Sequence, residues 1–147
     1  MRRLVVVFFV FAALCGQVSA QSSGPMSVPS GWSLANAGGV TAVADAAEPG
    51  GGPKRGFTLS AAVTLPQPCY DVKIIRIPST IDHPTPNTPL TFAIVQHRTA
   101  TICTEVMTVK HVSQRFPVPP PLPGSINVRS AKYAPPKPPQ IVPITTS

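Results

Sequence analysis

The stretch FTLSAAVTLPQPCYDVKIIRIP, residues 57–78, decides the fold. Apolar side chains occupy every second position of 57–65, and small or hydroxyl side chains occupy most positions between them. This period of two is typical of a strand with one buried face. Pro66-Gln67-Pro68 ends the pattern, because proline interrupts strand pairing. Residues 69–77 alternate again, so they are predicted to form a second strand.

Three further strands are predicted over residues 90–98, 102–112 and 125–131. The stretch 90–98 is apolar on both faces, which indicates an interior strand. The chain contains 20 prolines, and this number argues against a helical protein because proline breaks helices. We therefore predict an all-β fold, a small antiparallel sandwich spanning residues 57–131.

The first twenty residues have the pattern of a signal peptide. Met1-Arg2-Arg3 is a cationic start, residues 4–14 are apolar, and Val18-Ser19-Ala20 places small residues at a cleavage site. The apolar run is too short for an ordinary membrane span, which needs about 20 residues. Leu14, which precedes Cys15, argues against lipid attachment at that cysteine. The sequence thus predicts a secreted or periplasmic protein without a membrane span.

Cleavage after Ala20 would remove Cys15 and leave Cys69 and Cys103. Two cysteines in an oxidising compartment normally pair, so we predict one disulfide between them.

The segments on either side of the predicted domain are poor in bulky side chains. Residues 21–56 are rich in Gly, Ala and Pro and are expected to be a flexible leader, apart from Trp32 and Leu34, which are expected to dock on the domain. Residues 132–147 are predicted to be a proline-rich disordered tail, with Pro135-Pro136-Lys137-Pro138-Pro139 in polyproline II conformation.

The chain is basic, with 12 Lys and Arg against 5 Asp and Glu and a net charge of +7. These charges are scattered rather than clustered, which favours a solvated basic surface and disfavours a nucleic-acid partner. An anionic partner such as a polysaccharide or a lipid head group remains an alternative.

Three short sequences carry a resemblance to a known family: Pro68-Cys69-Tyr70-Asp71-Val72, Ile102-Cys103-Thr104-Glu105-Val106, and 121–128, PLPGSINV. Each opens or lies in a predicted strand, and together they resemble the small secreted immunoglobulin-like domains of bacteria. The resemblance implies an immunoglobulin-like sandwich. Members of that family usually carry a core tryptophan between the cysteines, whereas Trp32 here precedes both. The fold hosts many functions, so it implies no particular activity.

The histidines are the candidates for general-base or metal chemistry. His97 and His111 would approach one another if their strands paired, and Glu105 or the Asp82-His83 pair would have to supply further ligands. A metal-dependent hydrolase is therefore one alternative. We predict no catalytic residue, metal or cofactor, since no nucleophile motif is present and both cysteines are expected to be in the disulfide.

The loop from Pro78 to Pro89 carries further prolines that stiffen its backbone. A stiff exposed loop loses little entropy on binding, so Ile81, Asp82 and His83 form a possible recognition loop of a protease inhibitor. The leading interpretation is a binding or structural module, not an enzyme, whose partner is an unidentified protein or cell-envelope component. The sequence leaves the oligomeric state open.

Overall fold

The structure is a computed structural model that describes residues 27–46, 50–52, 55–79 and 88–146. Within these residues the chain forms eight strands, one 3₁₀ turn at Ala131–Tyr133 and no α-helix. The strands are β1 (Ser33–Leu34), β2 (Asn36–Ala44), β3 (Gly56–Leu65), β4 (Tyr70–Ile77), β5 (Thr91–Arg98), β6 (Thr108–Pro117), β7 (Ser125–Arg129) and β8 (Gln140–Thr146).

The strands form one hydrogen-bonded sheet in the order β1-β5-β7-β8-β2-β3-β6, and β4 pairs with the other edge of β5. The sheet curls into a half-barrel. Most neighbours run antiparallel, but β5 pairs with β7 and β2 pairs with β8 in parallel. The prediction of an all-β fold is thus confirmed, while the expectation of a purely antiparallel arrangement is wrong.

Four of the five predicted strands correspond closely to β3, β4, β5 and β7. The strand predicted over 102–112 does not, because β6 begins at Thr108 rather than at residue 102. The neighbouring strand explains the difference. Leu65, the last residue of β3, pairs with Thr108, and Pro66 follows it. The residues before Thr108 therefore have no partner on that strand.

The segments interpreted as a flexible leader and a disordered tail both contain strands. Residues 21–56 include β1 and β2, and residues 132–147 include β8. The reason is that small side chains bury here: Ala35 and Ala42 are almost completely buried. In β8, Val142 is only 3% exposed and pairs with Ile126 of β7.

The core fills the concave side of the curled sheet. Phe92 of β5 meets Phe57 of β3 edge to face, with ring centroids 5.6 Å apart, and lies 4.6 Å from Phe116 of β6. Contacts of this kind join the β4-β5-β7 half of the sheet to the β2-β3-β6 half. The other fully buried large apolar side chains are Leu59, Leu65, Ile74, Ile94, Ile126, Val63, Val95 and Val128.

Gly56 sits where two strands approach closely, and this gives the first prediction. A Cβ at residue 56 would lie 2.6 Å from the carbonyl oxygen of Phe116 and 2.7 Å from Oδ2 of Asp45. We expect Gly56→Ala to lower the free energy of unfolding by about 1 to 3 kcal/mol, because the backbone of β6 must move. Gly38→Ala is the control, since nothing lies within 4 Å of a Cβ there. Urea unfolding of both variants checks this, and equal midpoints would contradict it.

Candidate functional site

Cys69 and Cys103 lie at disulfide-bonding distance, with Cα atoms 6.0 Å apart, as predicted. The backbone nitrogen of Cys69 also donates to Sγ of Cys103 at 3.2 Å. Thr99 donates to the carbonyl of Cys69 twice, from its backbone nitrogen at 2.9 Å and from its hydroxyl at 3.1 Å. These bonds hold the start of β4 against the connection between β5 and β6.

That connection and the first residues of β6 carry an exposed apolar surface, which we name the apolar segment 102–109. Its four large apolar side chains are Ile102, Val106, Met107 and Val109, with exposed fractions of 91%, 59%, 75% and 56%. The backbone around them is tied locally, because Val106 nitrogen donates to Thr104 oxygen at 3.0 Å and the Thr108 hydroxyl donates to Val106 oxygen at 3.2 Å. The disulfide therefore presents these side chains on a tethered connection.

Single exposed apolar residues are ordinary, whereas several within one short segment mark an interaction site. Elsewhere among the described residues the exposed large apolar side chains are Val43 at 36% and Ile141 at 70%, each alone on its strand. The strand prediction over 102–112 concealed this surface. The signal in the sequence is that Val106 and Met107 are adjacent, so a strand with only one buried face would leave one of them exposed.

The expectation that Trp32 and Leu34 dock on the domain is confirmed. Leu34 pairs with Val95 of β5. Trp32 lies on the outer face beside the His97 ring, with centroids 5.3 Å apart, and Nζ of Lys73 lies 3.9 Å from its ring centroid. Because Lys73 covers one face of the indole, Trp32 fits an anchor rather than an open ligand platform.

His97 takes part in the same anchor. Its Nδ1 lies 2.6 Å from the carbonyl oxygen of Gly31, so that nitrogen donates to the turn before β1. The bond fixes the imidazole orientation and attaches the turn to the sheet.

The structure does not bring His97 and His111 together. β5 pairs with β4, β1 and β7, whereas β6 pairs only with β3 among the described residues. His97 is paired with Asp71, and His111 with Ala62, on opposite halves of the curled sheet. The premise of the hydrolase alternative, that the two strands pair, is therefore wrong. No group of three or more His, Cys, Asp or Glu with metal-binding geometry occurs in the described part of the chain.

Ile81, Asp82 and His83 lie outside the described residues, as do residues 1–20. The protease-inhibitor loop and the signal peptide remain predictions. Across 27–46, 50–52, 55–79 and 88–146, no helix has the length and hydropathy required to cross a bilayer.

An ion pair links β6 to the residue that follows β2. Arg115 on β6 donates from Nε and Nη2 to Oδ2 of Asp45, at 3.0 and 2.7 Å. The hydrogen bonds and the charge of Asp45 raise the pKa of Arg115 above its ordinary value. Since the Arg115 side chain is 60% exposed, solvent screens the pair and it contributes little to stability.

No protein-family model matches this chain. No curated protein and no solved structure is significantly similar to it either.

A groove of about 290 Å³ lies between the end of β2 and a proline-rich connection. It is lined by Ala44, Pro120, Pro121, Leu122, Pro123, Ile144 and Thr146. It is open and carries no titratable side chain, so it offers no catalytic chemistry.

Proposed function

We propose that this protein is an exported binding module with an immunoglobulin-like β-sandwich domain, and that it holds a protein or other cell-envelope component through the apolar segment 102–109. The observation that carries the proposal is the exposure of four large apolar side chains on one short, tethered segment. An exposed cluster of this kind is costly in water unless a partner covers it.

Two features support the immunoglobulin-like assignment. Aromatic side chains of β3 and β5 face one another across the core, as the inner faces of a sandwich do. The Cys69–Cys103 pair links the two halves of the sheet, because Cys69 precedes β4 and Cys103 lies in the connection to β6. The same cysteine pair supports export, since disulfides persist in oxidising compartments.

The experiment that tests the binding surface is an envelope-retention assay. Purified protein is mixed with the envelope fraction of the source organism, the fraction is sedimented, and the bound protein is measured against its concentration. We expect Met107→Asp to weaken retention at least about ten-fold. Burying a methionine is worth about 1.5 to 3 kcal/mol, and a factor of ten corresponds to about 1.4 kcal/mol.

Ile141→Asp is the matched control, because residue 141 is 70% exposed but lies on β8, away from the segment. Both variants should unfold at the urea midpoint of the wild type. The proposal is contradicted if both variants are retained equally well, or if the wild type is not retained at all.

A further inference from the structure

The two outermost strands of the curled sheet, β4 and β6, form the rims of an opening that we name the mouth. Both begin at the disulfide end, where Cys69 is linked to Cys103 and Nζ of Lys110 donates to the carbonyl of Tyr70. Following the pairings from strand to strand, β4 and β6 run in the same direction. Among the described residues each pairs with one neighbouring strand only, so each has a free edge along the mouth.

Several inward side chains of these two strands are poorly covered, although Ile74 of β4 is buried. Arg76 is paired with the buried Phe92, and Gln114 with the buried Leu59, so both lie on the inner face. Both are nevertheless exposed. The apolar side chains of the same face, Tyr70, Val72, Val112 and Phe116, are only half-buried. The core is thus open to solvent between β4 and β6 beyond the disulfide end, where the two strands contact one another.

The rims of the mouth are basic. β4 and β6 together carry Lys73, Arg76, Lys110 and Arg115 against one acid, Asp71. Arg115 is paired with Asp45, but no described carboxylate lies within salt-bridge distance of Arg76. An occupant of the mouth is therefore favoured if it brings a negative charge to Arg76.

The described strands of a second copy do not supply such an occupant. None of the eight strands within the described residues has a net negative charge, and β4 to β7 are each positive. Pairing β6 with β6 would bring like charges together across the new edge, which is unfavourable. The charge pattern therefore favours a different protein, not a second copy, as the occupant of the mouth.

We infer that an extended, acidic segment of a partner protein adds as a strand along the free edge of β6, inside the mouth. Main-chain hydrogen bonds to the free edge provide affinity, and side chains at alternate positions provide specificity. The inward-facing side chains of the added strand cover Val112 and Phe116 with apolar groups, and an acidic side chain between them on the same face meets Arg76. The covered residues Val112 and Phe116 and the charge of Arg76 lie outside the apolar segment 102–109, so failure of the test below leaves the retention result unaffected.

The test uses a fluorescein-labelled synthetic peptide of ten residues, TVTETVTETV, which places Val and Glu in turn on one face of an extended strand. Binding is followed by fluorescence anisotropy. Two control peptides are used, one with Lys in place of every Glu and one with proline at two central positions. We expect the Val/Glu peptide to bind at least ten-fold more tightly than either control. Hydrogen exchange should slow at β6 amides when it binds.

Arg76→Glu should weaken binding of the Val/Glu peptide about ten-fold. Lys132→Glu is the matched control because it changes the net charge equally at an exposed position in the 3₁₀ turn. The inference is overturned if all peptides bind alike, if none binds at millimolar concentration, or if the two charge reversals weaken binding equally. Protection that appears elsewhere than β6 would also overturn it.

Discussion

We expect a variant truncated after Pro139 not to fold cooperatively. The truncation removes β8, which pairs with β7 through Gln140–Pro143 and with β2 through Ile144–Thr146. No other strand joins the two halves of the sheet in the described part of the chain. Loss of these bonds and of the buried Val142 costs several kcal/mol, against a total stability of about 5 to 15 kcal/mol for an ordinary domain. Circular dichroism and urea unfolding measure the outcome.

Two point variants in β8 test whether the burial of a side chain, and not only the presence of the strand, stabilises the fold. Val142 is 3% exposed and its neighbour Ile141 is 70% exposed. We expect Val142→Asp to destabilise by about 4 kcal/mol or more, because it buries an unpaired charge. Ile141→Asp should change the free energy of unfolding by less than about 0.5 kcal/mol, as surface substitutions do. A truncated chain with native circular dichroism, or two equally stable variants, would show that β8 is dispensable.

The second large effect is expected on removal of the disulfide. The pair Cys69–Cys103 has a sequence separation of 34. In the chain-entropy account, closing a loop of about this size restricts the unfolded chain by about 3 to 4 kcal/mol. We expect the double variant Cys69→Ala, Cys103→Ala to be less stable than the oxidised wild type by that amount, measured by urea unfolding.

Wild-type protein kept reduced with dithiothreitol is the control for this comparison. It retains both cysteine side chains, so it isolates the cross-link from the packing of the sulfur atoms. It should be nearly as unstable as the double variant. A difference below about 1 kcal/mol between oxidised and reduced wild type would contradict the entropic role, and two titratable thiols in the denatured native protein would exclude the bond itself.

Period-two patterning located the strands whose two faces differ. β3 alternates buried and partly exposed side chains along its length, and the apolar pattern of 57–65 predicted it closely. β5 was predicted as an interior strand because both its faces are apolar, and it does lie between β4 on one side and β1 and β7 on the other. Strong side-chain periodicity therefore sufficed for β3, and a run of residues apolar on both faces sufficed for β5.

The strands that sequence reasoning missed are made of small side chains or prolines. β2 reads NAGGVTAVA, and its buried positions are mostly alanines, which give a weak hydrophobic signal. β8 contains Pro143 and follows a proline-rich stretch that is typical of disorder. Their places in the sheet depend on a partner far along the chain, because β2 and β8 pair with each other, and local composition does not reveal this pairing.

The candidate surface depended on the same long-range information. The cysteines were predicted to pair, but the exposure of Met107 follows from where β3 ends and leaves residues 102–107 without a strand partner. His97 and His111 show the same dependence, because they would lie close together only if β5 and β6 paired, and these strands do not pair. Spacing along the chain cannot decide that question.

Site-specific photo-cross-linking tests the binding surface most directly. A photoreactive phenylalanine analogue is placed at residue 107, or at residue 141 as the control, in protein expressed in the source organism. On illumination we predict a discrete cross-linked species of higher mass with the probe at 107 and none at 141. Cross-links of equal yield at both positions, or none at 107, would contradict the assignment of the apolar segment 102–109 as the surface that holds the partner.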